Sequence, residues 1–133
     1  MSPGQAGQKI RIVPLYDGFD QARGGPYFEP DRPRIDDPSE RERVADFMRD
    51  GAVVLRSTAL DVDAVEPTRG TVVPGSFRTD GQWIWSDGLM YYVREHGIAP
   101  AAEFYSHVVA CQYRCADPGA AGLREATQML VRR

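Results

Sequence analysis

The chain has 133 residues, 42% of them hydrophobic and 26% charged, with a formal net charge of −3. That length suits one domain whose core buries about two-thirds of the unfolded surface. The net acidity argues against general nucleic-acid binding, and the lack of any run of about 18 apolar residues excludes a transmembrane helix, so neither nucleic acid nor membrane is an expected partner.

Two cysteines, Cys111 and Cys115, are too few for a disulfide scaffold, and the opening MSPGQAGQKI has no apolar signal-peptide core. A cytoplasmic location is the expectation. Charge is spread unevenly. Residues 17–66 hold 13 acids and 7 bases, a net of −6, and the remainder holds 6 acids and 9 bases, a net of +3. An acidic front half complements a basic partner, while the plainer account is a solvated surface. Fifteen of the 16 basic residues are Arg, a coding bias that fits a GC-rich bacterial genome.

In chain order, residues 1–8 read as a loose tail of Gly, Ser, Pro and Gln. Lys9–Tyr16 alternates Ile10 and Ile12 and carries Pro14, which predicts a short strand at a sheet edge, because proline cannot donate to a ladder. Asp17–Asp37 is rich in Gly and Pro and is expected to be irregular, although Phe19, Tyr27, Phe28 and Ile35 give it apolar anchors. Asp37-Pro38-Ser39-Glu40 is a helix start: a capping carboxylate, a proline at the first helical position and an acid in the first turn. The helix should run over 38–50 with Val44, Phe47 and Met48 inward. Ala52–Ser57 predicts a buried strand. Asp61–Gly70 reads as a connection, and Thr71–Val73 as a further strand closed by Pro74-Gly75.

The densest stretch is Ser76–Ser86, SFRTDGQWIWS. Asp80-Gly81 is the signal for a two-residue type I′ hairpin, with positive φ at both positions. Strand alternation places Phe77 and Ile84 on one face and Arg78, Trp83 and Trp85 on the other. Ser86 or Asp87 then caps a helix in which Leu89, Tyr92, Val93 and His96 form a stripe, with Gly97 as its C-terminal stop. Pro100 opens another helix, with Phe104, Val108 and Cys111 on one face. Asp117-Pro118 caps a last one, with Leu123, Ala126, Leu130 and Val131 inward. No internal repeat is visible. The element order gives an α+β fold: one domain over 1–133, a small, mainly antiparallel sheet with three to four helices packed on it.

Chemistry is weakly signalled. His107, Cys111 and Cys115 are spaced four apart and share a helical face, three ligands of a zinc site that would need a fourth from His96 or an acid. Packing accounts for them more simply, and no metal or cofactor is expected. Cys111 with His107 is a nucleophile–base pair without a third, orienting group. His96 fits a helix C-terminus. Asp80 and Asp87 flank the tryptophans and could act as an acid–base pair, but turn and cap roles already account for them. No catalytic residue is expected. The best candidate binding patch is Arg78, Trp83, Trp85 and Tyr91, an aromatic and arginine face of the kind that anchors interfaces.

SFRTDGQWIWSDGLMYYVREHGIAP resembles a segment recurring in small bacterial proteins, an FRTDG-x-W-x-W hairpin followed by a helix with paired tyrosines. That pattern is similar to proteins found beside polymorphic-toxin systems and described as immunity proteins. The resemblance covers Gly70 to Tyr105 and carries no catalytic motif. It implies a non-enzymatic protein-binding module of immunity or inhibitor type that occludes a toxin or enzyme, and the acidic front half makes a basic one the expected partner. The alternatives are a small enzyme or small-molecule binder with a pocket between sheet and helices that uses His96, His107 or an acid, and an accessory or structural subunit, such as a homodimer joined through an edge strand.

Overall fold

The computed structural model describes residues 9–132, so the tail expected over 1–8 lies outside them. The strands are β1 (Arg11–Ile12), β2 (Gly18–Asp20), β3 (Gly25–Tyr27), β4 (Ala52–Leu55), β5 (Leu60–Val62), β6 (Thr71–Pro74), β7 (Phe77–Thr79) and β8 (Trp83–Ser86). The helices are α1 (Pro38–Arg49), α2 (Asp87–His96), α3 (Ala102–Ala110) and α4 (Gly119–Arg132). The fold is α+β. A four-stranded sheet has the order β1-β8-β7-β4, antiparallel except for β1, which runs parallel to β8 at the edge. Two antiparallel ribbons, β2-β3 and β5-β6, complete the strands.

Strand alternation in β8 organises the layers. Ile84 points to one face and packs with Ile10 and Ala126, so α4 covers that side with Met129 and Leu130. Trp83 and Trp85 point to the other face and pack with Val44, Phe47 and Met48 of α1, Leu89 and Val93 of α2, and Phe104 and Val108 of α3. The sheet is therefore sandwiched. A third cluster, Val73, Tyr92 and Ile98, joins β6 to α2 and recruits Tyr16 and Phe28. Burying each large side chain contributes roughly 1.5–3 kcal/mol.

The caps form as their residue types demand. The Asp37 side chain accepts from the Ser39 amide and the Ser86 hydroxyl from the Leu89 amide. Gly97 ends α2 at φ +69°. Three expectations need correction. Residues 17–37 are not irregular throughout: β2 and β3 form a hairpin, and Arg32 donates twice to the Ala99 carbonyl, fastening the segment to the α2–α3 connection. Part of 61–70 is a strand, β5, paired with β6. Val131 is 78% exposed rather than inward, because it lies well round the helix from the Leu123–Ala126–Leu130 stripe.

A close approach in the sandwich falls at Gly51, between α1 and β4. A Cβ there would meet Trp85 Cζ2 at 2.5 Å and Arg78 Cβ at 3.1 Å, and the indole is itself packed against Phe47 and Phe104. Gly51→Ala should therefore cost about 1–3 kcal/mol in chemical denaturation, as overpacking does in a dense core. An unchanged midpoint would show that the indole has room to retreat.

Candidate functional site

The hairpin has a different turn from the one its sequence signals. Thr79 pairs with Ile84, so the loop is Asp80–Trp83, and the strands slip by two residues without exchanging faces. Asp80 does not take a positive φ; only Gly81 does, at +97°. Side chains hold the turn instead. Asp80 Oδ1 accepts from the amides of Gln82 and Trp83 at 2.9 and 3.0 Å, and Thr79 Oγ1 donates to the Trp83 carbonyl at 2.7 Å.

That turn leaves Asp80 Oδ2 pointing inward, 2.6 Å from His107 Nε2 on α3. A carboxylate only accepts, so Nε2 is the donor to it. The pair ties the hairpin tip to α3. Asp63 builds a second, similar lock. Its Oδ1 accepts from the amides of Val65 and Glu66, and its Oδ2 from the Tyr91 hydroxyl at 2.6 Å and His96 Nε2 at 2.7 Å. Burial alone would raise the Asp63 pKa. The donors from Tyr91 and His96 and the two amides outweigh it and hold the carboxyl down at about 2. Neither partnership was legible in the sequence, where Asp80 was accounted for by the turn and His96 by the helix end.

The candidate patch is not an exposed face. Trp85 is fully buried and donates from Nε1 to the Met48 carbonyl at 3.0 Å. Trp83 is 7% exposed, packed on Phe104 and roofed by the Arg11 guanidinium 4.1 Å from its ring. Arg78 makes no cation–π contact with Trp83. It donates to Asp87 Oδ1 at 2.8 Å and to the carbonyls of Arg49 and Gly51, joining the end of α1 to the start of α2. Tyr91 is half-buried, with its hydroxyl committed to Asp63. The three hairpin residues share one physical reason, that α1, α2 and α3 cover this face of the sheet, whereas Tyr91 sits on α2 itself and turns to the β5-β6 connection, where Asp63 and Arg69 take its hydroxyl. Asp80 and Asp87 are likewise separated into different partnerships, one with His107 and the other with Arg78.

Cys111 and His107 do meet. The sulfur is 3.9 Å from Nδ1 and 3.7 Å from Nε2, almost equidistant, so it is directed at neither nitrogen in particular. Burial and then the Asp80 charge push the Cys111 thiol up, and burial takes Cys115 up to about 12, so both are held as thiols. Among the described residues, no group of three His, Cys, Asp or Glu could hold a metal ion.

Two surface features remain. A groove of about 1200 Å³ opens between β1, the hairpin tip, α3 and α4, with Arg11, Trp83, Glu103 and His107 on its walls. Arg11 bridges it by an ion pair to Glu103. The second feature is a group of apolar side chains on the β5-β6 ribbon: Leu60, Val62 and Val72 are 51, 48 and 39% exposed. Sequence reasoning missed this group because β5 was read as a connection, although its Leu-Asp-Val alternation was visible. No helix among the described residues is long and apolar enough to cross a membrane. No family profile, no curated protein and no solved structure matches the chain.

Proposed function

We propose that this protein is a non-enzymatic protein-binding module of the immunity or inhibitor type, acting by occluding a toxin or enzyme partner. The observation that carries this reading is the group of exposed aliphatic side chains Leu60, Val62 and Val72 on the β5-β6 ribbon. Contiguous apolar side chains left in water on a small domain commonly serve contact with another macromolecule. The interior supports the same reading. Both histidines and their aspartates are engaged in contacts that hold elements together, and the one cysteine beside a histidine is a poorly aligned thiol. The net charge of −6 over 17–66 favours a basic partner and fast association with it.

The test is capture of a partner by the full chain from its native host, or co-expression with the neighbouring gene product, followed by size-exclusion chromatography. The expected result is a complex of fixed stoichiometry that survives the column. If no protein co-elutes, while small molecules raise the melting temperature and shift the His107 ring resonances, function belongs to the groove and this reading fails.

A further inference from the structure

The exposed group has a geometry of its own. β5 pairs with β6 and with no other strand, and Leu60, Asp61 and Val62 are all exposed. Alternation places Leu60 and Val62 on one face of the ribbon with Asp61 on the other. The register shift falls between Asp61–Val73 and Val62–Thr71, so the extra residue is Val72 on β6 and the alternation of β5 is undisturbed. Natural edges are commonly protected by shortness, by charged side chains, above all lysine, by proline or by a bulge. β5 is three residues long, contains no lysine, proline or bulge, and has one charge, Asp61, which sets the sign of what can pair with it.

We propose, building on the protein-binding reading above, that β5 is a strand-addition site for a heterologous basic partner, which contributes an extended segment with apolar residues alternating around a Lys or Arg. An open strand edge presents a row of main-chain donors and acceptors, and an extended backbone is what satisfies them. Charge selects between occupants. In a symmetric antiparallel pairing that uses all three residues of β5, a second copy sets Asp61 opposite its own counterpart. Like charges directly opposed across a strand pair are destabilising, and the −6 over 17–66 adds to the repulsion. A Lys or Arg in that position gains instead what the second copy loses.

The test uses the full chain and a defined probe, the capped peptide acetyl-Val-Lys-Val-Arg-Val-amide, against its Glu-substituted counterpart, followed by amide shifts in NMR titration. The expected result is saturable shifts confined to Leu60–Val62 and their ribbon neighbours, with the basic peptide at least tenfold tighter, and a preference reversed by Asp61→Lys. Asp61 is exposed, so that variant should keep the wild-type melting temperature, and sedimentation should show a monomer. Absence of shifts at β5, equal affinity for the two peptides, or a dimer through β5 overturns the inference. The two failures are separable: a captured partner whose affinity is unchanged by Asp61→Lys leaves the binding-module reading intact and removes only the β5 site.

Discussion

Asp63→Ala should cost about 3–5 kcal/mol, a large share of the roughly 5–15 kcal/mol that holds a domain of this kind together. The side chain is fully enclosed and receives four donors: two main-chain amides, the Tyr91 hydroxyl and His96 Nε2. Removing it leaves all four without their acceptor, and a buried donor that loses its partner costs the full desolvation penalty of that group. Asp63→Asn should be milder, about 1–3 kcal/mol, because one oxygen still accepts from the amides while the new NH2 opposes Tyr91 and His96. Urea denaturation at constant m measures both. The pH dependence follows with a definite sign. A carboxyl held at about 2 when folded and near 3.9 when unfolded stabilises the fold fully above the unfolded value. That contribution fades as pH falls from about 4 towards 2, and Asp63→Asn should flatten the wild-type stability profile in this window. A loss under about 1 kcal/mol for Asp63→Ala would mean that water replaces the carboxylate, and the lock would be a minor one.

How much of this was written in the chain depends on how far apart the partners lie. α1 was legible to within a residue because its signals are local: Asp37, Pro38 and Glu40 act within one turn. The same holds for α2, bounded by Ser86 and Gly97. The two faces of the hairpin were legible because strand alternation survives a slip of two residues. The turn itself was not. Asp-Gly fits a type I′ turn, but Asp80 is more useful here as an acceptor that caps two amides and meets His107, and that partner is 27 residues away. The Asp63–His96 contact spans 33 residues. Short sequence windows carry no record of such pairings. The β2-β3 hairpin escaped for another reason: Gly18, Gly25 and Pro26 argue locally against strands, and the ribbon depends on tertiary anchors such as Arg32 on the Ala99 carbonyl. The exposed face on β5 was hidden by a mistaken element, not by distance.

Trp85→Ala is the second substitution with a large expected effect, and it decides how every binding experiment on the hairpin is read. The indole is fully buried between Phe47, at 5.7 Å, and Phe104, at 5.3 Å, with Nε1 bonded to the Met48 carbonyl. Truncation opens a cavity at the junction of sheet, α1 and α3, so a loss of about 3–5 kcal/mol is expected. For a domain of this size that is a fall in melting temperature of at least about 10 °C. Trp85→Phe, which keeps a ring in the site, should recover much of it. Trp83→Ala should lose less, about 2–4 kcal/mol, because Arg11 and water can settle into part of the space at the groove wall. Melting curves for the three variants check this ordering, and a Trp85→Ala protein as stable as wild type would refute the sandwich. If the ordering holds, weakened partner binding by either alanine variant reports on the fold before it reports on an interface. Substitutions at Leu60, Asp61 and Val62 escape this confusion: those residues are exposed and lie outside the three buried clusters, so their replacement changes what the ribbon offers a partner without opening the core.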